Sequence, residues 1–321
     1  MEPLVSIHIA TYNQKDFISK AIDSAISQDT DFPVEIVIGD DYSTDGTREI
    51  LNEYKVRYPD RIVLSLLPSK GEGMIGQENY ESTMNKCRGK YIAFLDGDDY
   101  WTDNNKLSRQ VEFLENNEVF VMCHHDCEAE ETEGVLLKKN FNRNNPVAGF
   151  YEACQITIPF MSSVVIRKNA LNYFDRKTWL KNLDLGDFAL WIMASLKGKF
   201  QYIDDSMAYY RVNLESVTKT LGYEVQVRNR LVFGEQLLES DYAFDRKFIH
   251  KYLSRYYFQC SGIAFSRRKV SEVIRYLFKS VSSLLKGISM KSGEYKWIDR
   301  LKWHRLFRFY IASIPSAFKH A

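Results

Sequence analysis

Tyr91-Ile92-Ala93-Phe94-Leu95-Asp96-Gly97-Asp98-Asp99 decides the fold: a short apolar run of strand length leads straight into three carboxylates within four residues. An unbroken run of that kind, closed by a polar cluster containing Gly, predicts a buried strand with both faces covered. The same grammar recurs upstream. Residues 5–10 form an apolar run, and Phe17, Ile18, Ala21, Ile22, Ala25 and Ile26 then recur at helical spacing. Residues 34–38 form a second strand, closed by Asp40-Asp41-Tyr42-Ser43-Thr44-Asp45-Gly46 before a helix predicted over 47–58. A third run, 62–67, leads through Lys70-Gly71-Glu72-Gly73 to a helix predicted over 79–87, and the fourth, 91–95, is the stretch quoted first. Strands alternating with helices imply an α/β fold built on a doubly wound, mainly parallel sheet.

Ligands on such sheets bind beyond the carboxyl ends of the strands. Three polar clusters fall there: Ala10-Thr11-Tyr12-Asn13, Asp40-Asp41, and Asp96-Gly97-Asp98-Asp99. Each alone reads equally as a polar turn, but all three at strand ends predict one crevice. The first loop lacks the glycines of a dinucleotide or P-loop motif, so a backbone phosphate cradle is not expected there. The crowded carboxylates instead call for a divalent cation, and oxygen ligands favour Mg²⁺ or Mn²⁺ with positions left open for phosphate oxygens.

These pieces resemble the inverting GT-A glycosyltransferases of family 2, a large group of bacterial nucleotide-sugar transferases. The likeness runs from Val5 to about Asn213 and includes the Asp96-Gly97-Asp98 DxD motif. It implies a GT-A catalytic domain over residues 1–220, a nucleoside-diphosphate-sugar donor with a UDP-sugar as the leading expectation, and a saccharide or lipid-linked saccharide acceptor. It further implies that Tyr12 stacks on the base, Asp40 hydrogen-bonds it, Asp96 meets the ribose or sugar, and Asp98 ligates the metal. Ala10, Thr11, Asn13, Asp41 and Gly97 complete the expected donor site. Asn79 stands in for an Ala-Arg-Asn segment that this chain does not reproduce, and Asn213 falls where the family commonly has a metal-site histidine.

Inverting transfer needs a general base for the acceptor hydroxyl. Asp187, in Leu185-Gly186-Asp187-Phe188, is the candidate, at the predicted N-terminus of an apolar helix where the dipole favours the ionised form. Asp184 is the rival, and either residue could serve only as a helix cap. Asp126 and Trp191 are placed on the acceptor side. Asp126 lies in Cys123-His124-His125-Asp126-Cys127, which offers zinc-type ligands, but strand alternation would point neighbours to opposite faces.

The 321 residues, 45% hydrophobic and 26% charged, exclude a disordered or fibrous chain. A net charge of +1 conceals an asymmetry: residues 221–321 hold 19 Lys+Arg against 8 Asp+Glu, leaving 24 against 34 in residues 1–220. The C-terminal region is thus expected to be a basic, aromatic-rich helical extension, suited to an anionic membrane surface or to homo-oligomer contacts. Basic residues among aromatics also suit nucleic acid, but no nucleic-acid-binding motif accompanies them. Five scattered cysteines fit no disulfide framework, Met1 runs almost directly into a strand without a basic leader, and no apolar run reaches the roughly 20 residues of a spanning helix. A cytoplasmic protein, peripheral on the membrane, is the expectation. The competing readings are a catalytically inactive nucleotide-sugar-binding module and a nucleotidyltransferase, the latter lacking its Gly-rich basic loop after the first strand.

Overall fold

The computed structural model describes residues 2–71, 76–131, 135–138, 146–149, 159–171, 186–211, 222–240 and 246–287. The chain divides into two compact units, Met1–Thr220 and Leu221–Ala321.

In the first unit the strands β1 (Val5–Thr11), β2 (Val34–Asp40), β3 (Ile62–Leu66) and β4 (Tyr91–Asp96) alternate with the helices α1 (Ile18–Ile26), α2 (Thr47–Arg57) and α3 (Gln77–Lys86). There follow β5 (Tyr100–Trp101), α4 (Lys106–Asn116), β6 (Phe120–Glu131), β7 (Val135–Lys138), β8 (Val147–Ala148), a 3₁₀ turn (Met161–Ser163), β9 (Val165–Arg167), α5 (Lys168–Leu171), α6 (Gly186–Ala194) and β10 (Lys199–Tyr210). The strand order is β3-β2-β1-β4-β9-β6-β10-β5, with β7 on β6 and β8 on β10.

The expected doubly wound parallel arrangement holds for β3-β2-β1-β4. Past β4 the sheet is mixed, because the three-residue β9 enters antiparallel to both β4 and β6. The Cys123–Cys127 segment lies within β6, and Cys123 and Cys127 are free and buried.

The first strand is covered on both faces. Val5, Ile7 and Ile9 are fully buried with Ile18, Ala21, Ile22 and Ala25 of α1. Its other face is covered too: the His8 ring lies 4.8 Å from Tyr80 and 5.4 Å from Phe94, and Ser6 donates to Glu35 at 2.6 Å. Each fully buried isoleucine contributes about 1.5–3 kcal/mol relative to exposure, so slipping this strand by one residue would forfeit several such terms. The register sets the carboxyl ends level, pairing Thr11 with Asp40 and Ala10 with Asp96.

The second unit carries the helical extension: α7 (Gly222–Glu239), α8 (Arg246–Ser266) and α9 (Val270–Gly287). Helix α8 is the central element, burying Phe248, Ile249, Tyr252, Leu253, Tyr256 and Tyr257. Tyr252 donates to the Arg230 carbonyl at 3.0 Å and Tyr257 to the Glu235 carboxylate at 2.5 Å, satisfying both phenols against α7. Among the described residues no helix is long and apolar enough to cross a membrane. The basic aromatic run from Trp297 to Tyr310 lies outside the described residues.

Candidate active site

The three polar clusters meet at the carboxyl ends of β1, β2 and β4. The Asp41 N–H donates to the Thr11 carbonyl at 3.1 Å, and the Gly97 N–H to the Ala10 carbonyl at 3.0 Å. The Asn13 N–H donates to Ser43 Oγ at 2.8 Å, and Asn13 Oδ1 accepts from the Thr44 N–H at 2.9 Å. Two non-glycine residues in these loops have left-handed backbones, Asn13 (φ 50°) and Tyr42 (φ 64°). For tyrosine that region is strained, and such strain persists where surrounding bonds over-determine the loop.

The result sets two aromatic rings at the surface, Tyr12 at 40% and Tyr42 at 42% exposure. The Lys70 ammonium lies 4.4 Å from the Tyr12 centroid and donates to its hydroxyl at 3.1 Å, while the Arg48 guanidinium sits 5.0 Å from the Tyr42 centroid. An exposed ring beside a cation suits a stacked base with a phosphate nearby.

Asp40 is fully buried. Its carboxylate accepts from the Ser43 N–H at 2.9 Å, from Ser43 Oγ, and from Arg48 Nε at 2.6 Å. A base contact from Asp40 would compete with these bonds. Asp41 accepts from the Gly71 N–H at 3.0 Å, closing the loop after β3 onto the loop after β2. Asn79, expected among donor-binding residues, is buried beneath the loops. Its amide donates to the Gly39 carbonyl at 3.1 Å and the Thr11 carbonyl at 3.4 Å, so it positions the loops from below.

The carboxylates after β4 divide by role. Asp99 is buried and hydrogen-bonded through both oxygens, to Ser162 Oγ at 2.5 Å and to the Arg211 N–H at 2.9 Å. Asp96 and Asp98 are half-buried. Burial, then the charges of Asp99, Asp98 and Asp187, pushes the Asp96 carboxyl well above the usual carboxylate range. Asp98 is also raised by burial, against the opposing pull of its own backbone, Arg211 and Gln14, and Asp99 is raised by burial and by Asp98.

Next to them Gln14 Oε1 and Thr11 Oγ1 are buried without a hydrogen-bond partner. Mutually repelling carboxylates beside an orphaned acceptor oxygen fit a hard divalent cation. Among the described residues no three His, Cys, Asp or Glu converge as a metal-holding group.

Asp187 opens α6 and is close enough for its charge to be felt by both Asp96 and Tyr210. It is thus brought to the carboxylate cluster, whereas Asp184 and Asn213 lie outside the described residues. Both acceptor-side candidates lie away from solvent. Asp126 is buried and accepts from the Tyr202 hydroxyl at 2.7 Å. Trp191 is 1% exposed and packs edge-on against Phe94 at 5.7 Å, so it belongs to the core.

Sequence reasoning missed Gln14, Arg48, Ser162 and Arg211. Arg211 Nε donates to the Asp98 carbonyl at 3.2 Å, with its guanidinium 4.2 Å from the Phe17 centroid. Its signal was its place in Tyr209-Tyr210-Arg211; Ser162 carried none.

The profile of Glycosyl transferase family 2 matches residues 6–174. The chain is 34% identical over 225 residues to UDP-Glc:alpha-D-GlcNAc-diphosphoundecaprenol beta-1,3-glucosyltransferase WfaP of Escherichia coli, covering 67% of this chain and 80% of that protein. It is 40% identical over 121 residues to an uncharacterized protein of Mycobacterium tuberculosis, and that match spans 38% of this chain and about a third, 34%, of the relative. In fold it resembles S. aureus TarS residues 1–349, solved in complex with UDP-GlcNAc, with a TM-score of 0.64 at 19% identity over 88% of this chain and 82% of that one.

Proposed function

The chain belongs to glycosyl transferase family 2, and on that premise we propose that it transfers a sugar, with inversion, from a nucleoside-diphosphate donor to an acceptor hydroxyl. The supporting observation is the convergence of Tyr12, Asp41 and the Asp96–Asp98–Asp99 carboxylates at one end of β1, β2 and β4. A UDP-sugar is the donor we favour, since WfaP is named for a UDP-Glc donor.

Tyr12 stacks on the base, with Lys70 supplying positive charge at its edge. Asp96 orients the ribose or sugar. Asp98 is the protein ligand for Mg²⁺ or Mn²⁺, and the chemistry such a cation supplies when bound is neutralisation of charge on the diphosphate oxygens. Arg211 braces the Asp98 backbone and adds a fixed cation to the same loop. Asp187 accepts the proton of the acceptor hydroxyl as it attacks the anomeric carbon from the opposite face. Its helix N-terminus favours the carboxylate form.

Residues 1–220 carry catalysis in this reading, and residues 221–321 serve docking. The acceptor we favour is a lipid-linked saccharide at an anionic membrane surface, as in surface-polysaccharide assembly. WfaP's named acceptor, a diphosphoundecaprenol saccharide, supports it. The test is transfer from UDP-sugars to lipid-linked saccharides, with the anomeric configuration of the product read by NMR. Inverted product supports the proposal; retained configuration rejects it.

A further inference from the structure

Helix α9 is built inside out. Its fully buried positions are small: Ser280, Ser283 and Gly287, with Val273, Tyr276 and Leu284 half-buried, and Ser280 Oγ donates to the Ser254 carbonyl at 2.8 Å. A Cβ on Gly287 would lie 2.7 Å from the Lys247 carbonyl oxygen, so the two backbones approach closely there. Most of its large apolar residues point outward instead. Val270, Ile274, Leu277, Phe278, Val281 and Leu285 recur at the spacing of one helical face, and all are exposed, Ile274 at 64% and Phe278 at 76%. A contiguous apolar stripe of this kind on a folded surface marks an interaction site.

Charge identifies the occupant. Arg275, Lys279 and Lys286 run along one flank of the same helix, and none makes an ion pair with a carboxylate among the described residues. Arg275 and Lys279 also border a cavity of about 400 Å³ between α7, α8 and α9 whose other charged lining is mixed, Arg228, Arg267 and Lys269 with Glu224, Glu235 and Glu272. The surrounding unit holds 19 Lys+Arg against 8 Asp+Glu. Apolar stripe, basic flank and the lack of any spanning helix among the described residues together describe a helix that lies in a headgroup plane. Stripe-to-stripe pairing of two copies would instead bring two basic flanks together, which like-charge repulsion opposes.

We propose that the outward face of α9 docks on an anionic lipid bilayer, its apolar stripe entering the acyl boundary while Arg275, Lys279 and Lys286 meet lipid phosphates. This rests on the lipid-linked-acceptor reading above and names the surface that would serve it.

The experiment is flotation of the full chain with phosphatidylglycerol-containing and pure phosphatidylcholine vesicles, alongside sedimentation velocity and UDP binding. The expected result is preferential binding to the anionic vesicles. Ile274→Asp with Phe278→Asp should weaken it about tenfold or more, leaving helical content and UDP binding unchanged because both positions are exposed. Arg275→Gln with Lys279→Gln should reduce binding to the anionic vesicles only. Undiminished flotation of the aspartate variant would overturn the proposal. So would a wild-type dimer that this variant dissociates, without vesicle binding by either. UDP binding separates the two levels: its loss in every form rejects the donor-site reading and leaves the vesicle result to judge α9 by itself.

Discussion

Asp99 and Arg211, 112 residues apart, are joined by a 2.9 Å hydrogen bond from the Arg211 backbone N–H to the Asp99 carboxylate. The other Asp99 oxygen accepts from Ser162, and the Arg211 side chain returns a bond to the Asp98 carbonyl. The third carboxylate of the cluster is therefore a tie that holds its neighbour in place. Asp99→Ala should cost about 2–4 kcal/mol by leaving buried donors unsatisfied, read as a lowered urea midpoint. Asp98→Asn should not lower that midpoint and should act on ligand binding instead.

Asp187→Asn removes the base but keeps the shape. Turnover should fall at least roughly 100-fold while donor affinity stays near wild type. Single-turnover kinetics with calorimetric donor binding separates the two, and near-wild-type turnover would remove Asp187 from the mechanism.

The site carboxylates and Lys106 should contribute to the pH dependence of stability with opposite signs. Asp96, Asp98 and Asp99 have raised carboxyls. Above the ordinary value of 3.8 these groups hold protons in the folded state that the unfolded chain has released, so their contribution to stability falls as pH rises, while the buried His124 and His125, lowered by desolvation, contribute in the opposite sense below the usual 6.5. Lys106 also opposes the carboxylates. Its ammonium is fully buried, 4.3 Å from the Trp101 ring centroid and bonded to Gln110 at 2.7 Å, and burial lowers it to about 7 from the usual 10.5. Between those values the unfolded chain binds the extra proton, so stability rises with pH. Denaturant titrations should show the stability difference between wild type and Lys106→Met shift in favour of the wild type as pH rises from about 7 to about 10.5, with the variant equal or more stable near neutral pH. Mn²⁺ should reduce the carboxylates' share of the pH dependence.

Gly97 is required by close packing of two loops. A Cβ there would fall 2.2 Å from Gln14 Oε1 and 2.9 Å from Thr11 Cβ. Gly97→Ala should destabilise by about 1–3 kcal/mol and weaken nucleotide binding, both measurable by thermal shift with and without UDP.

The parallel half of the sheet was legible because buried strands leave short, mostly apolar runs closed by polar clusters, the clearest being Tyr91–Asp96. The carboxylate cluster was legible because it follows such a run. Burial direction was not: Asn79 and Trp191 carry suitable chemistry, and only tertiary packing turns the first under the loops and the second into the core. Three-residue β9 was too short to show a period, so the antiparallel insertion beside β4 left no trace. The inverted faces of α9 were hidden for a related reason, since periodicity reveals an apolar face without saying whether protein covers it.

The most direct test of a metal-dependent donor site is calorimetry of UDP, GDP, dTDP and CDP with and without Mn²⁺, on the wild type and Asp98→Asn. The account predicts that one diphosphate, UDP by preference, binds tightly only with Mn²⁺, and that Asp98→Asn abolishes the metal dependence. Equal binding with and without the cation, unchanged in Asp98→Asn, would contradict it.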